Sequence, residues 1–98
     1  SKNFVFFRAA PGEKRRVQID KSVEPLGIQI ASPKCGGIFV SSVTENSIAS
    51  KAGLLIGHQI LDVCGINLRK ATFNLAASVL QQCGNSITML VEYNPDSE

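Results

Sequence analysis

The sequence predicts a small α+β domain: six short strands in a partly open antiparallel barrel or sandwich, capped by two helices of unequal length. Two observations carry that reading. Apolar and polar residues alternate in short runs broken by Gly and Pro, as where Val17 and Ile19 are interleaved with Gln18 and Asp20. That is the period of a half-buried strand. A single longer stretch after Thr72 instead repeats its apolar residues at helical spacing. With 98 residues, the chain suits one such domain.

The elements follow in order. Residues 1–14 read as an N-terminal extension, because Ala9-Ala10-Pro11-Gly12 interrupts any strand begun by Phe4–Phe7. The first strand begins near Arg16. Glu24-Pro25-Leu26-Gly27 is a loop leading into a second strand, Ile28–Ser32, with Ile28 and Ile30 on one face. Turn chemistry from Pro33 to Gly37 precedes a third strand, Ile38–Val43. Asn46 or Ser47 can cap a short helix of about five residues, and Gly53 supplies the left-handed position that ends it. Gln59–Cys64 and Ile66–Leu68 are strands around a turn at Gly65. Thr72 caps the long helix, Phe73–Cys83, which Gly84 stops. Ser86–Tyr93 is the last strand; the domain spans 15–95, and 96–98 are a tail.

Composition excludes several functions. A net charge of +2 with scattered Lys and Arg does not announce a nucleic-acid partner. The cluster Lys14-Arg15-Arg16 reads as surface charge; its alternatives are acidic-peptide contact or, with Lys21, weak membrane-surface contact through phosphoinositide headgroups. Cys35, Cys64 and Cys83 form neither a zinc pattern nor a redox pair, so reduced thiols in a cytoplasmic setting are expected. No apolar run is long enough for a membrane span. With one His and no nucleophile elbow, the chain is not expected to be an enzyme, and no metal or cofactor is expected.

Three features point to binding. In Pro25-Leu26-Gly27-Ile28, a central Gly lets successive N–H groups converge on one concavity suited to a carboxylate, and Lys21 adds charge nearby. On the long helix, Phe73, Ala77 and Leu80 share one face, while Ala76, Val79 and Cys83 face the sheet. The blander reading makes all six core, yet a Phe in the first turn is seldom wholly buried. The strand Ile28–Ser32 presents an unpaired edge if its other neighbour is a helix, and an extended peptide can add there.

In this order the motifs resemble the PDZ family, over about Arg15 to Pro95. The landmarks are Pro25-Leu26-Gly27-Ile28, Gly37-Ile38-Phe39-Val40, Ala52-Gly53-Leu54, Gly57-His58-Gln59-Ile60-Leu61 and Gly65-Ile66-Asn67-Leu68. Glu24-Pro25-Leu26-Gly27-Ile28, Gly65-Ile66-Asn67-Leu68-Arg69 and Tyr93-Asn94-Pro95 are most similar to disks-large-type scaffolds. PDZ domains are themselves a reference case of strand addition, so that mode comes with the resemblance. The resemblance implies a PDZ-like fold and capture of C-terminal tails of membrane or cytoskeletal proteins. It also implies a monomeric domain within a larger scaffold, peripheral to the plasma membrane or cell junctions. By it, the amides of Leu26, Gly27 and Ile28 hold the terminal carboxylate. Leu26, Ile28, Ile30 and Leu80 line the pocket for the last side chain, and the backbone of Ile28, Gln29, Ile30, Ala31 and Ser32 pairs with the peptide. Phe73 and Ala77 face the third-last residue.

Phe73 stands where many members of the family carry His, and it implies an apolar residue at that ligand position; alternatively it packs over the groove and partly closes it. Pro25 replaces a frequent Gly, and His58 replaces a frequent Asp and reads as solvated surface. Leu75 is expected on the exposed side of the helix. A competing reading is an assembly module that uses Phe4-Val5-Phe6-Phe7 as a sticky extended segment.

Overall fold

The computed structural model describes residues 8–21 and 24–96. Its elements are β1 (Lys14–Asp20), β2 (Ile28–Ala31), β3 (Phe39–Val43), α1 (Ile48–Ala52), β4 (His58–Val63), β5 (Ile66–Asn67), α2 (Phe73–Gln82) and β6 (Ser86–Tyr93). The predicted elements are all present, with ends moved by one or two residues. β1 starts at Lys14, and Gly12 and Glu13 already exchange backbone hydrogen bonds with Tyr93.

All pairings are antiparallel. The sheet runs β1-β6-β4-β3-β2, with β5 on β4 beside that path. The path does not return on itself, so the sheet is open, with β1 and β2 as its margins.

The core follows from strand alternation. Val17 and Ile19 of β1 and Ile87, Met89 and Val91 of β6 point inward at every second residue. In β4 strict alternation fails: Ile60 pairs with Val91 and Asp62 with Leu90, leaving Leu61 as an extra residue. That bulge lets both Ile60 and Val63 join the core, although three positions apart they would face opposite ways on a regular strand. A second bulge sits in β3. Gln29 pairs with Ser42 and Ile30 with Val40, so Ser41 is the extra residue. Ala49 of α1 and Ala76 and Val79 of α2 close the core from the helical side.

Both helices are capped by their own sequence. Ser47, not Asn46, caps α1: its hydroxyl accepts the Ser50 N–H at 3.1 Å, while Asn46 takes a positive φ of 62° in the turn before it. Gly53 ends α1 at φ 92°. The Thr72 hydroxyl accepts the Leu75 N–H at 3.1 Å, and α2 closes at Cys83 before Gly84.

His58 overturns its expected place on the surface. It is fully buried, its Nδ1 accepts the Leu55 N–H at 2.9 Å, and its ring meets Tyr93 edge-on at 5.5 Å. The strand start turns this side chain inward, and because Nδ1 must be unprotonated to accept the Leu55 N–H, an uncharged imidazole is the form that fits. Its Nε2 has no hydrogen-bond partner among the described residues. Burial, and then the positive charge of Arg15, lower its pKa from the ordinary value, while Glu13 pulls the other way. A His with a lowered folded pKa binds fewer protons folded than unfolded, so its contribution is intact above the unfolded pKa and is lost as pH falls below it. Urea midpoints are therefore expected to fall as pH drops from about 7.5 to about 5.5, and His58→Phe to flatten that slope. Equal slopes in both proteins would remove His58 as the cause.

Candidate functional site: the groove between β2 and α2

The loop before β2 is held by its carbonyls. Leu26 C=O accepts the Ala49 N–H at 3.0 Å, and Gly27 C=O accepts the Thr44 N–H at 2.8 Å. The first bond satisfies an amide in the first turn of α1 that has no partner within the helix. Each peptide group is planar and trans, so its N–H points opposite to its C=O. With the carbonyls of Leu26 and Gly27 turned toward α1 and β3, the amides of Gly27 and Ile28 face the other way. Gly27 makes this possible with φ 91°, and a Cβ there would collide with the Ser47 side chain.

The register agrees. Because Gly27 C=O bonds to Thr44, the neighbouring pair Ile28–Val43 is the kind whose own backbone groups do not bond to each other. The N–H and C=O of Ile28 thus point off the margin of the sheet, and those of Ile30, two residues on, point the same way. β2 pairs with β3 on one side, and α2 lies along the other.

Two concavities fill the space between them. One, of about 410 Å³, is lined by Ile28, Gln29, Ile30, Phe73, Ala77 and Leu80. The other, of about 350 Å³, is lined by Lys21, Pro25, Leu26, Gly27, Ile28, Leu80, Gln81 and Ile87. They share Ile28 and Leu80, so they form one furrow ending at the loop. Phe73 lies opposite Ile30 and Leu80 opposite Leu26, so α2 runs antiparallel to β2.

Each anticipated site residue can now be placed. Leu26, Gly27, Ile28 and Lys21 meet at the closed end, and Ile28, Gln29, Ile30, Phe73, Ala77 and Leu80 line the furrow. Ala31 ends β2, whereas Ser32 lies just past it and is exposed. Phe73 is 46 % exposed and forms a wall of the furrow, which stays open beside it. Leu75, at 50 %, is on the far side of α2, as expected. Ile87 and Gln81 were not anticipated at the closed end. Ile87 looks from its alternation like a plain core residue, and only the fold shows one flank of it reaching the cavity floor.

The alternative surfaces fare differently. Strand alternation splits Lys14-Arg15-Arg16: Lys14 and Arg16 are exposed, whereas Arg15 points to the other face and donates to the carbonyls of Ala52 and Gly53, both at 3.3 Å. Phe4–Phe7 lies outside the described residues. The Cys83 thiol, packed against the core, is pushed up to about 11 by burial and by a hydrogen bond with the Cys64 thiol, the opposite of an activated nucleophile. Among the described residues no cluster of His, Cys, Asp and Glu is suited to a metal ion, and no helix is long and apolar enough to cross a membrane.

Comparison with known proteins adds to this geometry. The sequence pattern of the family described as PDZ domain matches residues 16–92. The chain is 51% identical over 83 residues to Disks large homolog 5 of Homo sapiens, covering 85% of this chain and 4% of that protein. It is 38% identical over 86 residues to Disks large homolog 3 of Homo sapiens, covering 86% of this chain and 10% of that protein. The chain thus spans a small fraction of the relatives it matches. Among solved structures, the third PDZ domain of human hDlg5 superposes with a TM-score of 0.77 at 44% identity, covering 100% of this chain and 86% of that one. INAD PDZ3, solved in complex with a TRP channel tail, gives 0.73 at 29% identity, covering 80% of this chain and 84% of that one.

Gly27→Ala tests the loop. The positive φ and the approach to Ser47 are expected to cost about 2 kcal/mol or more, seen as a lower urea midpoint. An unchanged midpoint would show that the loop does not depend on this backbone geometry.

Proposed function

This chain belongs to the PDZ domain family, and on that footing we propose that it captures the extreme C-terminal peptide of partner proteins by strand addition between β2 and α2. The observation that carries the reading is the outward aim of the Gly27 and Ile28 amides at the closed end of a furrow bounded by an unpaired strand margin. A terminal carboxylate needs several donors in a small space, and charge-assisted bonds to backbone N–H groups are among the stronger kinds. Leu26, Gly27 and Ile28 supply those donors, and Lys21 adds positive charge beside them. The last side chain enters the cavity formed by Leu26, Ile28, Leu80 and Ile87. The tail then runs antiparallel to β2 and bonds to the outward groups of Ile28 and Ile30. INAD PDZ3 with its channel tail is a relative in which a tail is bound.

Phe73 sets the finer preference. It flanks the furrow with Ala77 and Ile30, where the third-last side chain passes. A hydrocarbon ring cannot accept a hydroxyl proton well, and leaving such a group unpaired costs about 1–3 kcal/mol. Tails of the form apolar-x-apolar-COOH are therefore favoured. A few backbone bonds, one carboxylate and two apolar anchors, set against the entropy of ordering the tail, give a Kd of about 1–100 μM. Binding this weak suits a multidomain scaffold in which several modules act together, on the cytoplasmic side of a membrane or junction. In this reading the domain is an interaction module without catalysis.

A C-terminal peptide library should enrich apolar residues at the third-last position; enrichment of Ser or Thr there would reject that preference. Amidating the best peptide should weaken binding about tenfold or more. Leu80→Arg, whose side chain is only partly buried, should abolish capture while the protein stays folded by circular dichroism. A folded Leu80→Arg protein that binds normally would refute the site.

A further inference from the structure

Another concavity, of about 700 Å³, lies at the corner where β3 meets α1 and shares no lining residue with the furrow. Its apolar lining is Val43 at the end of β3, Leu54, Leu55 and Ile56 after α1, and Tyr93 at the end of β6. Leu54 belongs to the core, whereas Ile56 is 58 % exposed, more than any other large apolar side chain among the described residues. Isolated apolar residues are ordinary on a surface; one set beside a concave apolar wall marks a place where a further group can be buried. Arg8 and Ala9 line the same concavity. The backbone after them brings them there: the Gly12 N–H donates to the Tyr93 carbonyl at 2.6 Å, and the Tyr93 N–H to the Glu13 carbonyl at 2.9 Å. Immediately before Arg8 stand Phe4-Val5-Phe6-Phe7, four apolar side chains in succession, three of them aromatic.

We propose that this concavity is the docking site of the chain's own Phe4–Phe7 segment, which lies outside the described residues. Covalent position decides the occupant. Phe7 directly precedes a residue that lines the hollow, and at roughly 3.3 Å per residue the four span about 13 Å. A tethered segment meets its site at an effective concentration of about millimolar, far above that of a second copy in dilute solution. The chemistries match as well. Aromatic rings laid on Leu55, Ile56 and the ring of Tyr93 remove apolar surface from water on both sides of the contact. The charged residues that line the hollow, Arg8 and Glu45, are exposed and stay solvated. The docked segment covers the corner whose Thr44 and Ala49 amides hold the carbonyls of Leu26 and Gly27. This contact stands whether or not the furrow captures tails.

The test uses the full chain in two backgrounds, one unaltered and one combining Phe4→Ser, Phe6→Ser and Phe7→Ser. Loss of the three rings should lower the thermal midpoint by about 5 °C or more. In each background Ile56→Glu is compared with Leu75→Glu, the same kind of change at an exposed apolar site on the far side of α2. Ile56→Glu should lower the midpoint of the unaltered chain and have little effect once the rings are gone, whereas Leu75→Glu should act equally in both. Phe7→Trp gives the chain its only Trp, whose emission should lie to the blue of a solvated indole and move to the red with Ile56→Glu. Light scattering should show a monomer throughout. Additive effects of Ile56→Glu and the Ser changes, or the emission of a solvated indole untouched by Ile56→Glu, would overturn the docking. A dimer that the Ser changes dissolve, with a midpoint that rises with protein concentration, would overturn it too and assign the segment to a second copy.

Discussion

The arrangement at this groove depends on two backbone hydrogen bonds that face away from it. By accepting from Ala49 and Thr44, the carbonyls of Leu26 and Gly27 spend their acceptor capacity on α1 and β3. Peptide planarity then leaves the amides of Gly27 and Ile28 nowhere to point but into the furrow. The donors are thus oriented before any ligand arrives, by bonds that belong to the fold. α1, only five residues long, has its use here: it supplies the first-turn amide that anchors the loop, and its cap residue Ser47 occupies the space a larger residue at position 27 would need.

The second requirement is a strand that ends a sheet without being exposed to arbitrary pairing. β2 is short, paired on one side with β3, and shadowed on the other by α2. The helix is held at its distance by Ala76 and Val79, which pack into the core, while Ala77 and Leu80 on the neighbouring face are left to line the gap. Ala76 lets the helix come close, and Leu80 on the neighbouring face sets the depth of the furrow. The bulge at Ser41 lets Ile28 and Ile30 keep their face toward the groove while Val40 returns to the core on the neighbouring strand.

Local chemistry was the legible part of the sequence. Thr72, Gly53 and Ser86–Tyr93 announce themselves because caps, left-handed turns and alternation are decided within a few residues. Helical spacing puts Phe73 on one face with Ala77 and Leu80, and Leu75 on the exposed side of the helix. What escaped depends on partners distant in the chain. Nothing near His58 reveals that Tyr93 will cover it, and the bulges at Leu61 and Ser41 are set by the opposing strands. Arg15 looks like one of three equivalent surface charges until α1 places two carbonyls beneath it. The groove itself lies between these cases: its loop and its helical face could each be read locally, whereas the cavity floor at Ile87 required the fold.

The shadow that α2 casts over β2 limits how many guests can be taken. A bare margin would accept one chain, whose own far side would accept another, and so on toward a fibre. In the proposed mode the guest would lie with its outer side against a helix, which offers no further backbone partners. The far margin, β1, carries Lys14, Arg16 and Asp20 on its exposed positions and so discourages the same event there. In that mode, recognition through main-chain bonds has a valence of one, and an adhesive strand margin is offered without a route to polymerisation through it.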